Sequence, residues 1–369
     1  MLWPRLGIAL CAAAVVALSA LPRILLAAGA LPDPLRPFVW SDPLFTYVRG
    51  LSGHRLPYLD TPFEYPPVVG AISGLFSVIA DHAALYVALW SALLAAAAGV
   101  TAWILVPAAG PRRVLWRFAL TPELLLLAGL NFDLLATLAF AIALLAARAG
   151  RDTRAAVALA IGAATKLFPL AAAPLAVLRA RRPVRSAVTI AAVLALTYGP
   201  VAIATRDLTG GLGYYAVGIG ANLDSPWGLL ARLLDTLGVP AAGAIVTGLT
   251  LAGLAITYLT AVLPRARASD AAAALGLAVV TTLLWSRLYS PQYSLWLLPL
   301  FALLPLAARR FALLAAGDVL VFATISPLTL VRWAPGDVRA SALLGALVAG
   351  VALRHCALVL TWRDLRAIR

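Results

Sequence analysis

Lysine is almost missing from this chain: of 29 basic residues, Lys166 alone is lysine. Charge of any kind is scarce, at 12% against 63% hydrophobic residues. A soluble globular chain carries roughly 25% charged and about 45–50% apolar residues, so this shortage excludes a water-soluble domain. Only two cysteines occur, Cys11 and Cys356, both inside apolar runs, which excludes a disulfide framework. The three histidines, His54, His82 and His355, are scattered. No HExxH or paired-histidine spacing exists, so no protein-built metal site is expected. There is no GxGxxG after a strand and no P-loop, which argues against a nucleotide-driven reaction. The bias to arginine, with abundant alanine, points to a GC-rich and bacterial genome and carries nothing about mechanism.

What is present is a series of apolar runs. Their length matches a bilayer core of about 30 Å, which takes roughly 17–25 residues. They fall at about 6–30, 67–80, 83–106, 114–129, 132–148, 155–178, 186–204, 240–263, 271–286, 292–307, 311–328 and 341–361. The expected fold is all-α: one integral membrane domain, 1–369, forming a polytopic bundle of about twelve helices, some short or broken. The first run, after Arg5, is expected to stay as an uncleaved helix rather than act as a signal peptide. The net charge of +14 does not indicate nucleic acid, because arginine gathers in short loops as the positive-inside rule requires. The clusters at 179–185, 264–267, 308–310 and 362–369 mark the cytoplasmic side. Counting from them leaves a structured first extracytoplasmic loop, 31–66, and a second large one, 205–238. The middle fits less well. If every run spans, PRRVLWR (111–117) and RAGRDTR (148–154) fall outside, against the charge rule. Several runs there are short, so half-helices or re-entrant segments are expected, and the orientation of 107–154 stays open. Broken backbone at membrane depth is tolerated only when buried in protein or lining a wet cavity.

Polar residues within the apolar runs each require a reason, since an ionisable group at bilayer depth costs at least ~2.5–3.5 kcal/mol. Lys166 lies in AAVALAIGAATKLFPLAAAPLAVL, where Pro169 and Pro174 break the helix. It is either a snorkelling lysine or a cation facing a bound anion such as a lipid phosphate. Asn131 and Asp133, in GLNFDLL, form either a helix cap or part of a site. Glu123, after Pro122, suits a first-turn carboxylate. In SRLYSPQYSLW, Tyr289 and Tyr293 fit an interfacial belt, whereas Arg287 on the outside fits a phosphate contact better. In NLDSPWGLL, Trp227 is either an interface anchor or a sugar-stacking ring.

The most polar stretch is WSDPLFTYVRGLSGHRLPYLDTPFEYPP, Trp40 to Pro67. Its prolines and glycines exclude one continuous helix, and it is too aromatic for disorder. Loops this long that are not disordered are usually functional. Its pattern resembles the first extracytoplasmic loop of the C-type membrane glycosyltransferases, specifically glycosyltransferase family 87. The matching positions are Asp42, Tyr47, Gly53, the pair Pro57-Tyr58, and Tyr65-Pro66-Pro67. Further matches are the Asn131-x-Asp133 turn, the Lys166-x-x-Pro169 break, Ser225-x-Trp227, and SPQY (Ser290 to Tyr293) before Trp296. The likeness covers roughly residues 5–310. One departure is Arg287, where the family often has lysine.

The resemblance implies transfer of a sugar, most commonly mannose, from a polyprenyl-phosphate donor to a glycolipid or glycan acceptor outside the plasma membrane. Asp42 would act as general base, with Glu64 and Asp60 as alternatives, and the anomeric centre would invert. Lys166 and Arg287 would hold the donor phosphate. Tyr47, Tyr58, Glu64, Tyr65, Asn131, Asp133, Trp227, Gln292 and Tyr293 would bind substrate. No metal, nucleotide or other cofactor is implied, and the partners are the lipid-linked donor, the acceptor and membrane lipids. The competing expectation is a transporter or lipid flippase, which should show internal repeats; the two halves share no convincing self-similarity.

Overall fold

The computed structural model describes residues 2–205, 220–268, 270–334 and 336–369. Among them the chain is helical throughout, and the one strand-like pairing is an isolated bridge between Pro57 and Thr61. In chain order the helices are α1 (Leu2–Ala27), α2 (Pro67–Ile79), α3 (Ala83–Ala109), α4 (Pro122–Leu127), α5 (Asp133–Arg148), α6 (Asp152–Thr165) and α7 (Ala173–Arg179). They continue with α8 (Pro183–Thr205), α9 (Pro226–Thr236), α10 (Ala242–Thr257), α11 (Ala271–Leu284), α12 (Leu298–Leu303), α13 (Ala308–Leu330) and α14 (Val338–Ala367). Single helical turns and wider or tighter turns fill the gaps.

Among the described residues six helices are long and apolar enough to cross a membrane: α1, α3, α8, the run Ala242–Arg265 that extends α10, α13 and α14. The remaining apolar segments are short or interrupted. The expected helix at 114–129 is instead a turn at Pro111–Val114, a π-type turn at Leu115–Ala119, and α4. Pro122 starts α4 behind a Thr121 cap, whose hydroxyl accepts from the Leu124 N–H at 3.1 Å. The expected helix at 292–307 is a 3₁₀ turn, Pro291–Leu297, followed by α12. Part of the expected second loop is also corrected. Residues 206–219 lie outside the described residues, but Pro226–Thr236 is a helix, capped by the Ser225 hydroxyl on the Gly228 N–H at 2.9 Å.

The 155–178 run does not cross. α6 ends where Lys166 turns extended, at φ −154°, ψ 134°. Pro169 cannot donate to an upstream carbonyl and collides with a continuing helix. The chain reverses through Phe168–Ala172 into α7. The Arg181 N–H then reaches the Asp152 carboxylate at 2.9 Å, so both legs begin and end at one face. Gly162 makes the close turn possible: a Cβ there would meet Pro169 Cγ at 2.9 Å. Residues 152–179 therefore double back as a helical hairpin with Lys166 at its apex. α2 does not cross either. Its 13 residues span only about 20 Å, and both of its ends lie against the 28–66 segment. The Ser77 hydroxyl donates to Arg55 O at 2.9 Å, and the Tyr47 hydroxyl to Ala80 O at 3.2 Å.

Arginine contacts bring 111–117 and 148–154 to the other basic connections. Arg117 donates to Leu306 O at 2.7 Å, Arg148 pairs with Asp270 at 3.1 Å, and Arg267 donates to Leu178 O at 3.0 Å. Arg310 pairs with Asp364 at 3.2 Å. All the arginine-rich connections thus gather at one end of the bundle. Segment 28–66 and the 286–291 turn sit at the other.

Helices α13 and α14 pack almost backbone to backbone. A Cβ on Gly317 would lie 2.7 Å from Arg354 N and 2.8 Å from Gly350 O. Gly317→Ala is expected to cost about 1–3 kcal/mol through forced separation of the pair, seen as a lower Tm in detergent. Single cysteines introduced at Thr153 and Arg369, with Cys11 and Cys356 replaced by alanine, are expected to react with an impermeant maleimide from the same side. Ser52→Cys should react from the opposite one. Labelling of Thr153→Cys from the Ser52 side would break the hairpin assignment.

Candidate functional site

The site forms where segment 28–66 folds back over the bundle. Ser41 caps a short helix, Asp42–Thr46, accepting from the Leu44 N–H at 3.2 Å. This places Asp42 at a first-turn position, where the helix dipole suits a carboxylate. Its backbone N–H donates to Leu130 O at 2.8 Å, which ties the loop to the 128–132 turn. One carboxylate oxygen accepts from the Trp40 indole at 2.6 Å. The other accepts from the Tyr65 hydroxyl at 2.8 Å and from the Asn131 amide. Arg23, buried at the end of α1, fixes the same strip from below. It donates to Trp40 O at 3.0 Å, to Leu126 O at 2.9 Å and to Ser19 O.

A second polar group meets the first at Tyr65. The Lys166 ammonium sits 3.4 Å from Asp133 Oδ2. It lies 5.2 Å from the Tyr65 ring centre and 5.6 Å from that of Tyr293, within cation–π range. Asp133, fully buried at the start of α5, also accepts from the Trp296 indole at 2.7 Å. Trp296 stacks on Phe168 at 4.0 Å and on Tyr293 at 4.1 Å. Beside Lys166 opens a cavity of about 260 Å³. Its polar lining includes Glu64, Tyr65, Lys166, Thr282, Ser286 and Tyr293; Leu167, Phe168, Leu283 and Leu288 form much of its apolar wall.

Asp42 lies outside the candidate spans. Burial pushes its carboxyl above the ordinary carboxylate range. The Lys166 charge and the hydrogen bonds from Trp40 and Tyr65 pull it back, while the nearby Asp133 adds to the rise.

The structure gathers Asp42, Glu64, Tyr65, Asn131, Asp133, Lys166 and Tyr293 around this point. It does not gather the rest. The Arg287 guanidinium donates to the Thr247 hydroxyl on α10 at 2.8 Å, and only its neighbours Ser286 and Leu288 line the cavity. Trp227 stacks on Trp285 at 5.1 Å and donates to Leu284 O, so it serves helix packing. Tyr47 is buried against Tyr86. Gln292 is buried but outside the cavity lining. Tyr58 acts through Tyr65, whose carbonyl accepts its hydroxyl. Its φ of +67° is a left-handed conformation, unusual for a bulky side chain. Among the alternative bases, Asp60 closes a turn on the Leu56 N–H at 2.8 Å, and Glu64 is paired with Arg49. Trp40 and Arg23 are site-shaping residues that no motif signals. Only the position of Arg23 at the end of an apolar run marks it.

Lys166→Met removes one partner of a buried ion pair and leaves Asp133 uncompensated. That is expected to cost about 3–5 kcal/mol, measured as a fall in unfolding midpoint. The double change Lys166→Met with Asp133→Asn should recover most of it. Comparison with family models, with curated proteins and with solved structures returns no match for this chain.

Proposed function

We propose that this chain is a membrane glycosyltransferase that moves a monosaccharide, mannose in the first place, from a polyprenyl-phosphate donor to a glycolipid or glycan acceptor. The observation that carries the reading is the placement of a half-buried carboxylate, Asp42, and a buried ammonium, Lys166, against one tyrosine, Asp42 accepting its hydroxyl and Lys166 lying over its ring. Lys166 and Tyr65 line a cavity with a largely apolar further wall, and Asp42 meets it through the Tyr65 hydroxyl. The order of motifs resembling glycosyltransferase family 87 supports the same reading.

The chemistry requires two things. An acceptor hydroxyl must lose a proton as its oxygen attacks the anomeric carbon. A carboxylate within reach acts as general base, typically worth about 10²–10⁴-fold. Asp42 takes that proton, with Tyr65, Asn131 and Trp40 orienting its two oxygens. The anomeric C–O bond then breaks, and its electron pair leaves on the lipid phosphate. A preorganised cation stabilises the charge that grows there. Lys166 takes this role, since one ammonium offers three donors and Asp133 uses one. A single displacement inverts the anomeric centre. Arg287, bonded to Thr247 on α10 beside the cavity-lining Ser286 and Leu288, is the second candidate for the phosphate. The isoprenoid follows the apolar wall into the bilayer. In this reading the arginine-rich end faces the cytoplasm, following the positive-inside rule, and the site faces the outside of the plasma membrane.

The test is transfer from labelled polyprenyl-phosphate sugars by purified protein with a lipid extract. Asp42→Asn is expected to abolish transfer with protein level and Tm near wild type; near-normal turnover would refute the assignment. The raised carboxyl also sets a pH dependence. The base must be ionised, so kcat/KM rises with pH through a limb above the ordinary carboxylate range. Tyr65→Phe removes a hydrogen bond that holds the carboxylate ionised. That limb should therefore move to higher pH, and a shift to lower pH would contradict the pairing.

A further inference from the structure

At the arginine-rich end of the bundle the two legs of the 152–179 hairpin open on a cavity of about 410 Å³. The 14 residues of α6 separate it from Lys166 by about 20 Å. Its wall carries Arg151, Arg154, Arg181, Arg182 and Arg185, with Asp152 as its one carboxylate. The local sequence puts them there. Gly150, at φ +65°, makes the left-handed turn between α5 and α6, which sets Arg151 and Arg154 on one lip. Pro183 takes the first position of α8, a place that suits proline, and sets Arg182 and Arg185 on the other. The Arg181 N–H and the Asp152 carboxylate join the two lips at 2.9 Å.

Other arginines of the bundle are engaged. Arg148 pairs with Asp270 and Arg310 with Asp364, while Arg117 and Arg267 hold carbonyls. Buried Arg354 on α14 lies 3.5 Å from Asp318 Oδ1 on α13, which also accepts from the Ser294 hydroxyl at 2.8 Å. The five cavity arginines differ. Among the described residues none of their guanidinium groups meets an acceptor, and the bond that Asp152 accepts comes from a backbone N–H. The positive-inside rule accounts for arginine at this end. It does not account for five that converge on one concavity with nothing to hold. Five like charges against one carboxylate repel one another, and an anion among them relieves that. Phosphate fits, because a guanidinium forks two hydrogen bonds onto its oxygens.

The source of the phosphate is set by α8. Only 6% of its most apolar stretch is buried in the protein. Val184 and Val188 are 75% and 60% exposed. With Ala192 and Ala195, also exposed, they form one stripe along the helix, beginning beside Arg185. The cavity thus opens at the foot of a lipid-facing stripe. We propose that it holds the phosphate of an anionic phospholipid, with the acyl chains lying along α8. Basic pockets between membrane helices take such headgroups. The lipid ties Arg151 and Arg154 on one leg to Arg182 and Arg185 beyond the other, and so clamps the base of the hairpin that carries Lys166. This inference rests on the membrane reading of the chain and not on glycosyl transfer.

The test uses the full chain, delipidated in neutral detergent and titrated with phosphatidylglycerol, phosphatidylcholine or glycerol phosphate. Phosphatidylglycerol is expected to raise Tm and to stay bound in native mass spectra. Phosphatidylcholine and glycerol phosphate at the same concentration should do neither. In Arg154→Gln/Arg182→Gln/Arg185→Gln the midpoint of the phosphatidylglycerol titration should rise about a hundredfold, at roughly fivefold for each arginine, with Tm in phosphatidylcholine near wild type. Arg363→Gln/Arg369→Gln removes charge from the same end at exposed positions outside the cavity and should leave the midpoint unchanged. An equal loss per charge in that control would overturn the proposal, because charge in general would then account for binding. So would an equal Tm rise with glycerol phosphate, which would assign the cavity to a soluble phosphate. If the triple variant does not fold, Arg182→Gln alone should still raise the midpoint about fivefold, and an unchanged midpoint would overturn the assignment. A wild-type chain that neither gains Tm from phosphatidylglycerol nor retains it would overturn it without any variant.

Discussion

A lysine ammonium in the interior of an apolar bundle has to be matched, and here the match is Asp133, 3.4 Å away. Each needs the other. Either charge alone would cost several kilocalories per mole in that environment, about 3–5 on removal of the partner. The pair also needs a backbone that brings the two to one depth. Asp133 stands at the first position of α5, and Lys166 at the break between α6 and Phe168–Ala172. The hairpin, set by Pro169, leaves Lys166 at the end of α6, where it meets the start of α5. The broken backbone is buried in protein beside the cavity, which is where such breaks are tolerated.

From that pair the rest of the site follows by contact. Asp133 holds the Trp296 indole, Trp296 stacks on Phe168 and Tyr293, and these rings close the cavity beside Lys166. Lys166 faces the Tyr65 ring, and Tyr65 holds Asp42. Asp42 in turn depends on Arg23 and the 128–132 turn, through Trp40 O and Leu130 O. Two charged groups from distant parts of the chain thus share one aromatic ring. Neither is a free side chain on a mobile loop.

Much of this was legible in the sequence, for identifiable reasons. The apolar runs are long and uniform, so their helical character could be read directly. A loop containing Asp42, Tyr58 and Tyr65 is conspicuous against an alanine-rich background. The short runs in the middle of the chain, and the prolines after the lone lysine in 155–178, pointed to broken or re-entrant segments. Which of them failed to cross was not legible, because apolar length alone does not record direction. That required the Arg181–Asp152 contact closing the hairpin and the contacts of α2 with 28–66. Arg287 and Trp227 show a different limit of the sequence. Both residue types suit a phosphate or a sugar, but side-chain direction decides, and these two point to Thr247 and Trp285. Asp318 and Arg354 were not read at all. They lie 36 residues apart on different helices, each a lone charge within an apolar run, and only the close packing of α13 on α14 pairs them.

That close packing shows how glycine placement and charge placement depend on one another in an apolar bundle. Gly317 precedes Asp318, and its missing side chain lets the backbone of α13 reach that of α14 at Gly350 and Arg354. Wider separation would take Asp318 away from the guanidinium and leave both buried without a counter-charge. It would also slacken Ser294, and with it the turn that presents Tyr293 and Trp296 to the cavity. Small residues in such bundles are commonly explained by dispersion between helices. Here the stronger reason is electrostatic: the helices must approach closely because the charges they carry cannot be satisfied at a distance.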